Sequence, residues 1–265
     1  MKTLIKRLKI AAMFCVPICL IGLLFSGCAS VQSGTNEMKA LAVTPAPDAG
    51  FIENPQQQTK RADLPFQKVW IKSGFDPLDY KELVVAPVNT YYMQQMDWLH
   101  SLSTANLIGN VQKDIEELAL YFHDQVVKDF NEDPNRRFRI IELPEQHRQP
   151  ALRLELALIE IDPSQPVLHA LSWAGPPGTG TAAGIINQRR VAFEGRLRDL
   201  QTGELVATFA DRDMADAGPL DLTRLTWYGP AKGIMDQWAK QFVQIANRKA
   251  GEMVTDPIPF TLRPF

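Results

Sequence analysis

The chain has 265 residues, a formal net charge of −2 and 45% hydrophobic residues. A mildly acidic chain with no basic excess carries no electrostatic footprint for nucleic acid or anionic lipid. Its three cysteines are Cys15, Cys19 and Cys28, so the rest of the chain holds no disulfide, no thiol catalyst and no cysteine-ligated zinc.

In chain order, Lys2, Lys6, Arg7 and Lys9 come first with no acid among them, then an apolar run over 10–25, then Ser26-Gly27-Cys28. A basic start, a short apolar stretch and small residues at a cleavage point make a secretory signal peptide over 1–27. The run falls short of the ~20 apolar residues of a spanning helix, and Pro17 interrupts it. Leu24-Phe25-Ser26-Gly27-Cys28 resembles a bacterial lipobox. The resemblance implies that Cys28 is lipidated and becomes the acylated first residue, and Ala29 after it implies sorting to the outer membrane, most simply its periplasmic face. One acyl chain at about 0.8 kcal/mol per buried CH₂ binds marginally, whereas a triacylated cysteine is a permanent tether. Removing the segment, with its four cations and no acid, takes the net charge from −2 to −6.

Residues 28–66 are rich in Ser, Gln, Pro, Asn and Ala and show no apolar periodicity, which predicts a flexible tether. Residues 67–265 suit a single domain. A strand is predicted over 83–88, with Pro87 near its end. Ile115, Leu118, Ala119, Phe122, Val126 and Phe130 recur at helical spacing, so 111–130 reads as a helix stopped by Asn131 and Pro134. A second strand follows over 137–142. The clearest strand is 151–161, with Leu152, Leu154, Leu156 and Leu158 on one face and Arg153 and Glu155 on the other. Residues 190–199 and 204–211 form a hairpin about Gln201-Thr202-Gly203, with Val191, Phe193 and Leu197 inward and Glu194, Arg196 and Arg198 outward. Gly229-Pro230 opens a last helix with Ala231, Met235, Trp238, Phe242 and Ile245 as its buried stripe. Two amphipathic helices and a mostly antiparallel sheet with one polar face predict an α/β two-layer sandwich.

The long segment 163–188 joins antiparallel strands and contains Gly175-Pro-Pro-Gly-Thr-Gly180, which opens like a phosphate-binding loop. Such a loop needs a Lys for the β and γ phosphates and a hydroxyl for magnesium. Thr181 and Ala182 occupy those positions, and no parallel-sheet helix follows, so no nucleotide is expected. Segments of this length are functional or disordered. Leu171, Trp173, Ile185 and Ile186 either tuck against the sheet or contact a partner or membrane. Tyr91, Tyr92 and Trp98 carry the same two readings, core or interface.

No catalytic constellation emerges, and no metal or cofactor is expected. His100, His123, His147 and His169 are scattered, with no paired ligand spacing. There is no nucleophile elbow. Asp211, Asp213, Asp216 and Asp221 miss the spacing of a calcium loop and read as a solvated acidic turn.

Several pieces together resemble a family of uncharacterised Gram-negative lipoproteins, domain of unknown function 3313. They are the lipobox at Cys28, Asp79-Tyr80-Lys-Glu-Leu-Val-Val-Ala-Pro-Val88, Glu194-x-x-x-Arg198-Asp199-x-x-Thr202-Gly203-Glu204, and the last helix with Trp238. The layout is also similar to α/β domains of periplasmic assembly proteins, among them the curli secretion lipoprotein. The expectation is a non-catalytic, lipid-anchored module of the outer membrane that binds an envelope protein or self-associates. The alternatives are a small-ligand binder or enzyme with an unidentified pocket, and an oligomeric secretion-associated lipoprotein.

Overall fold

The computed structural model describes residues 43–93, 111–142, 149–162, 190–214, 229–249 and 251–256. Its main elements, in chain order, are β1 (Lys68–Ile71), β2 (Glu82–Val85), α1 (Val111–Asn131), β3 (Arg139–Ile140), β4 (Ala151–Ile161), β5 (Arg190–Asp199), β6 (Leu205–Met214) and α2 (Gly229–Asn247). The strands form one sheet in the order β1-β6-β5-β4-β2-β3. From β1 to β4 the neighbours are antiparallel, whereas β2 lies parallel to both β3 and β4. Parallel neighbours need a crossover, and α1 provides it between β2 and β3. The α/β class and the mostly antiparallel sheet are as expected.

Strand alternation divides the sheet into two faces. Leu152, Leu154, Leu156 and Leu158 of β4 and Val191 and Phe193 of β5 meet Leu118, Phe122 and Val126 of α1 and Met235, Trp238 and Phe242 of α2. Phe193 lies at the centre, its ring centroid 4.6 Å from Trp238 and 5.7 Å from both Phe66 and Phe242. A register shift between Leu158 and Glu160 returns Ile161 to this helix-side core, as a bulge does by adding one residue to one strand. Gly195 faces Phe209 across the ladder, and a Cβ there would overlap the Phe209 ring.

Four expectations are corrected. β1 was not foreseen, because only Val69 of its four residues is buried and no alternation shows. β2 ends at Val85, after which Asn89 makes one isolated bridge to Ala157. β6 runs past Asp211 to Met214.

The fourth correction concerns the tether. Residues 43–66 fold onto the domain, with Val43, Ala46, Phe51, Ile52, Leu64 and Phe66 buried. Low average apolarity misled because Ala157, Ala192 and Ala210 leave a shallow face that Ala46, Phe51 and Ile52 suffice to cover. The domain therefore reaches back to Val43, and residues 1–42 lie outside the described residues.

Candidate functional site

The sheet face opposite the helices was expected to be polar. It is polar, but residues 43–58 cross it as a strap, and its charges hold that strap. Glu194, only 2% exposed, accepts from three backbone N–H groups, Ala49 at 2.8 Å, Phe51 at 3.0 Å and Ile52 at 3.1 Å. A buried carboxylate needs such donors to replace its lost hydration. Gly50, between them, has φ of 92°, a left-handed conformation that glycine adopts without a Cβ penalty.

Three cations on this face take the strap's carbonyls. Arg212 donates to Thr44 O at 3.1 Å while its Nε holds Glu160 at 2.8 Å. Lys68 Nζ reaches Ala46 O at 2.9 Å and Asp48 at 2.6 Å. Arg196 donates to Phe51 O at 3.1 Å and to Glu155 at 2.9 Å, with its guanidinium 3.9 Å above the Phe51 ring. Arg198 pairs with Glu53 at 2.9 Å. Gln67 closes the start of the strap, giving its Nε2–H to Val43 O at 2.6 Å and taking Arg212 N–H at 3.2 Å.

The hairpin residues behind the family resemblance thus have structural duties. Glu194 and Arg198 grip the strap. Asp199 accepts from Gln201 N at 2.9 Å, Thr202 N at 2.7 Å and the Tyr80 hydroxyl at 2.8 Å. Burial opposes the Asp199 charge, yet the Thr202 N–H and the Tyr80 hydroxyl outweigh it and hold the carboxyl below its usual range. Tyr80 is pushed up to about 12, first by burial and then by the Asp199 charge it faces.

The helix-side face holds polar groups that the sequence reading placed elsewhere. Asp211 and Asp213 are not in a solvated turn; they continue the alternation of β6 from Phe209 and are buried. Asp211 accepts from Trp238 Nε1 at 2.9 Å and from Gln67 N at 3.2 Å. Gln237 of α2 reaches Asp213 at 3.3 Å and Asp256 at 2.9 Å, and Gln241 reaches Asp256 at 2.7 Å. The inward period of two, Phe209-x-Asp211-x-Asp213, was the available signal. Beside this cluster a cavity of about 540 Å³ runs along α2, lined by Gly233, Asp236, Gln237, Lys240, Gln241, Gln244 and Thr255.

The candidate contact residues separate. Tyr91 is 87% exposed, and Tyr92 packs edge-on against Phe51 of the strap. Cys28, Trp98, Leu171, Trp173, Ile185 and Ile186 lie outside the described residues, as does the whole 163–188 segment. His123 is committed to Asp124 at 2.9 Å and to Val85 O at 3.3 Å. Among the described residues no group of three His, Cys, Asp or Glu is arranged to hold a metal.

Solved structures similar to this chain include two PelC dodecamers from Paraburkholderia phytofirmans. One is 12% identical, covering 67% of this chain and 97% of that chain, and the other is 13% identical, covering 65% and 96%, each with a TM-score of 0.34. The hypothetical protein CT253 from Chlamydia trachomatis is similar at 11% identity, covering 62% and 94%, also with a TM-score of 0.34. No curated protein matches the chain. A family profile described as "Protein of unknown function" matches residues 48–242, which take in the strap from Asp48, the whole sheet and much of α2, and the chain belongs to that family, DUF3313.

Proposed function

We propose that this protein is a lipid-anchored module of the bacterial outer membrane that binds an envelope partner or a second copy of itself and catalyses no reaction. The observation that carries the reading is the clasped strap. Glu194, Lys68, Arg196 and Arg212 of the sheet's strap face bond backbone groups of residues 44–52, the segment that leads back toward Cys28. Val43 follows Cys28 by 15 residues, and that length spans at most about 54 Å fully extended. A strap gripped this firmly supports the reading, because a tethered binding module requires a set point from which the chain runs back to its anchor.

The test is crosslinking of the intact protein in living cells, beside a Cys28→Ala version. Capture of a discrete envelope protein, or of a second copy, that is lost in the unanchored version is expected. Equal capture by both versions would remove the anchor from the function, and an unacylated Cys28 in the mature mass would remove the anchor itself.

A second reading rests on the cavity along α2. Its volume lies within the ~300–1,000 Å³ range of small-molecule sites, and Gln241 Oε1 is buried with no hydrogen-bond partner among the described residues. A small polar ligand offering one donor would satisfy it. Absence of any crosslinked protein, together with a thermal shift on adding a periplasmic extract of small molecules, would favour this reading.

A further inference from the structure

Among the described residues, the strap face leaves one aromatic side chain in solvent. Tyr91 is 87% exposed, yet it is held in place. Its N–H donates to Asn89 Oδ1 at 2.7 Å, and Asn89 is bridged to Ala157 of β4. Its ring meets Tyr92 edge-on at 5.3 Å, and Tyr92 meets Phe51 edge-on at 5.3 Å. Phe51 is buried against Ala157, Ile159 and Ala192. Tyr91 is therefore the outer rung of an aromatic ladder rooted in the core.

The strap indicates what stands opposite. In the segment that supplies Phe51, the first described residue, Val43, is held by Gln67 near Arg212. The root of the tether and Tyr91 thus share the face turned away from the helices. A domain of this size is roughly 40 Å across, and the 15 residue steps from Cys28 to Val43 reach at most about 54 Å. With the strap face toward the bilayer, that reach exceeds the gap to be bridged. Turning the helix layer to the bilayer uses most of that length in rounding the edge of the domain.

We infer that the strap face is turned to the bilayer and that Tyr91 rests its ring among the lipid headgroups, an inference that depends on Cys28 being acylated. The chemistry fits the position. A tyrosine ring offers an apolar body and a polar tip, the combination enriched at membrane interfaces. The segment from Asn89 to Met93 carries no charge to oppose it. A single ring is a weak contact, but tethering holds its partner at an effective concentration of order millimolar, so a weak contact is populated.

The full lipoprotein is tested in vesicles of phosphatidylethanolamine and phosphatidylglycerol. The mature chain has no cysteine besides Cys28, so Tyr91→Cys and Leu120→Cys each add one thiol for an environment-sensitive fluorophore. Leu120 is 60% exposed on α1, in the opposite layer. Lipids with brominated acyl chains are expected to quench the label at 91 several-fold more than the label at 120. Equal quenching, or stronger quenching at 120, overturns the orientation. In whole envelopes, a label at 91 shielded from aqueous quenchers but crosslinked to a protein overturns it in favour of a protein contact. Flotation with the vesicles is read separately. Chains that float without quenching at 91 leave the anchor standing and remove the orientation, whereas chains that do not float remove both.

Discussion

Trp238 of α2 donates its indole N–H to Asp211 Oδ2 of β6 at 2.9 Å, and both side chains are withdrawn from solvent. The bond crosses the layer boundary beside the Phe193 ring, so it fixes the height of α2 on the sheet as apolar packing alone would not. Asp211 also takes the Gln67 N–H, which joins the same point to the start of β1. Asp211→Ala leaves two buried donors unpaired, and each such donor costs about 1–3 kcal/mol. The expected loss in urea unfolding followed by tryptophan emission is therefore roughly 2–6 kcal/mol. Asp211→Asn, which keeps an acceptor, should lose clearly less. Equal losses in the two variants would mean that the space Asp211 fills matters and its acceptor does not.

A second expectation concerns Gly195. Its missing side chain leaves room for Phe209, which stacks on Phe66 at 5.3 Å. Gly195→Ala forces that ring off its site and should destabilise the domain by about 1–3 kcal/mol, the range for overpacked cores. Phe209→Leu alone loses ring contacts, but the double variant should be more stable than the two single losses predict when added. Strict additivity in that cycle would show that the two positions do not interact.

The Glu194 clasp can be tested locally. Glu194→Ala removes the common acceptor of the Ala49, Phe51 and Ile52 N–H groups. If the strap opens as a unit, the variant frays there before the rest unfolds. Hydrogen exchange at residues 49–52 should then quicken by orders of magnitude, while the β4 and β5 amides keep their protection. Uniform loss across the sheet would instead make the strap part of the global folding unit. Glu194→Gln, which retains one acceptor oxygen, should fall between the two.

Much of this architecture is legible in the sequence because periodicity reports burial on one face. Leu152 to Leu158 and the Met235-Trp238-Phe242 stripe announce β4 and α2 for that reason. What periodicity does not report is what covers the second face. Glu194, Arg196 and Arg198 read as outward residues, and so they are, but outward here means toward the strap. No local signal marks a segment gripped by Glu194 from more than 140 residues away, and Val43, Phe51 and Ile52 look isolated in a Pro- and Gln-rich stretch. Asp211 and Asp213 failed for the opposite reason. Their strand period is readable, but with Asp216 and Asp221 close behind they form an acidic cluster whose composition reads as a turn.

The Tyr80–Asp199 pair predicts how stability responds to pH. The Asp199 carboxyl is held below its usual range in the fold, so its contribution is present above the unfolded value near 4 and is lost as pH falls through the folded one. Asp63, held low first by Arg61 and further by Arg248 against the cost of burial, acts in the same direction. Tyr80 has the opposite sign. Its hydroxyl is pushed up to about 12, so the folded state binds that proton more tightly than the unfolded chain, whose tyrosine titrates near 10. Its contribution is complete below pH ~10 and declines as pH rises toward the folded value. Tyr80→Phe should therefore lower the melting temperature at pH 7 through the lost hydrogen bond, and the gap from the parent should narrow above pH ~10. Melting curves at neutral and alkaline pH measure that gap directly. A gap that stays constant or widens with pH would show that the Tyr80 proton is not held by the fold, and that the Asp199 turn is stabilised by its own backbone donors alone.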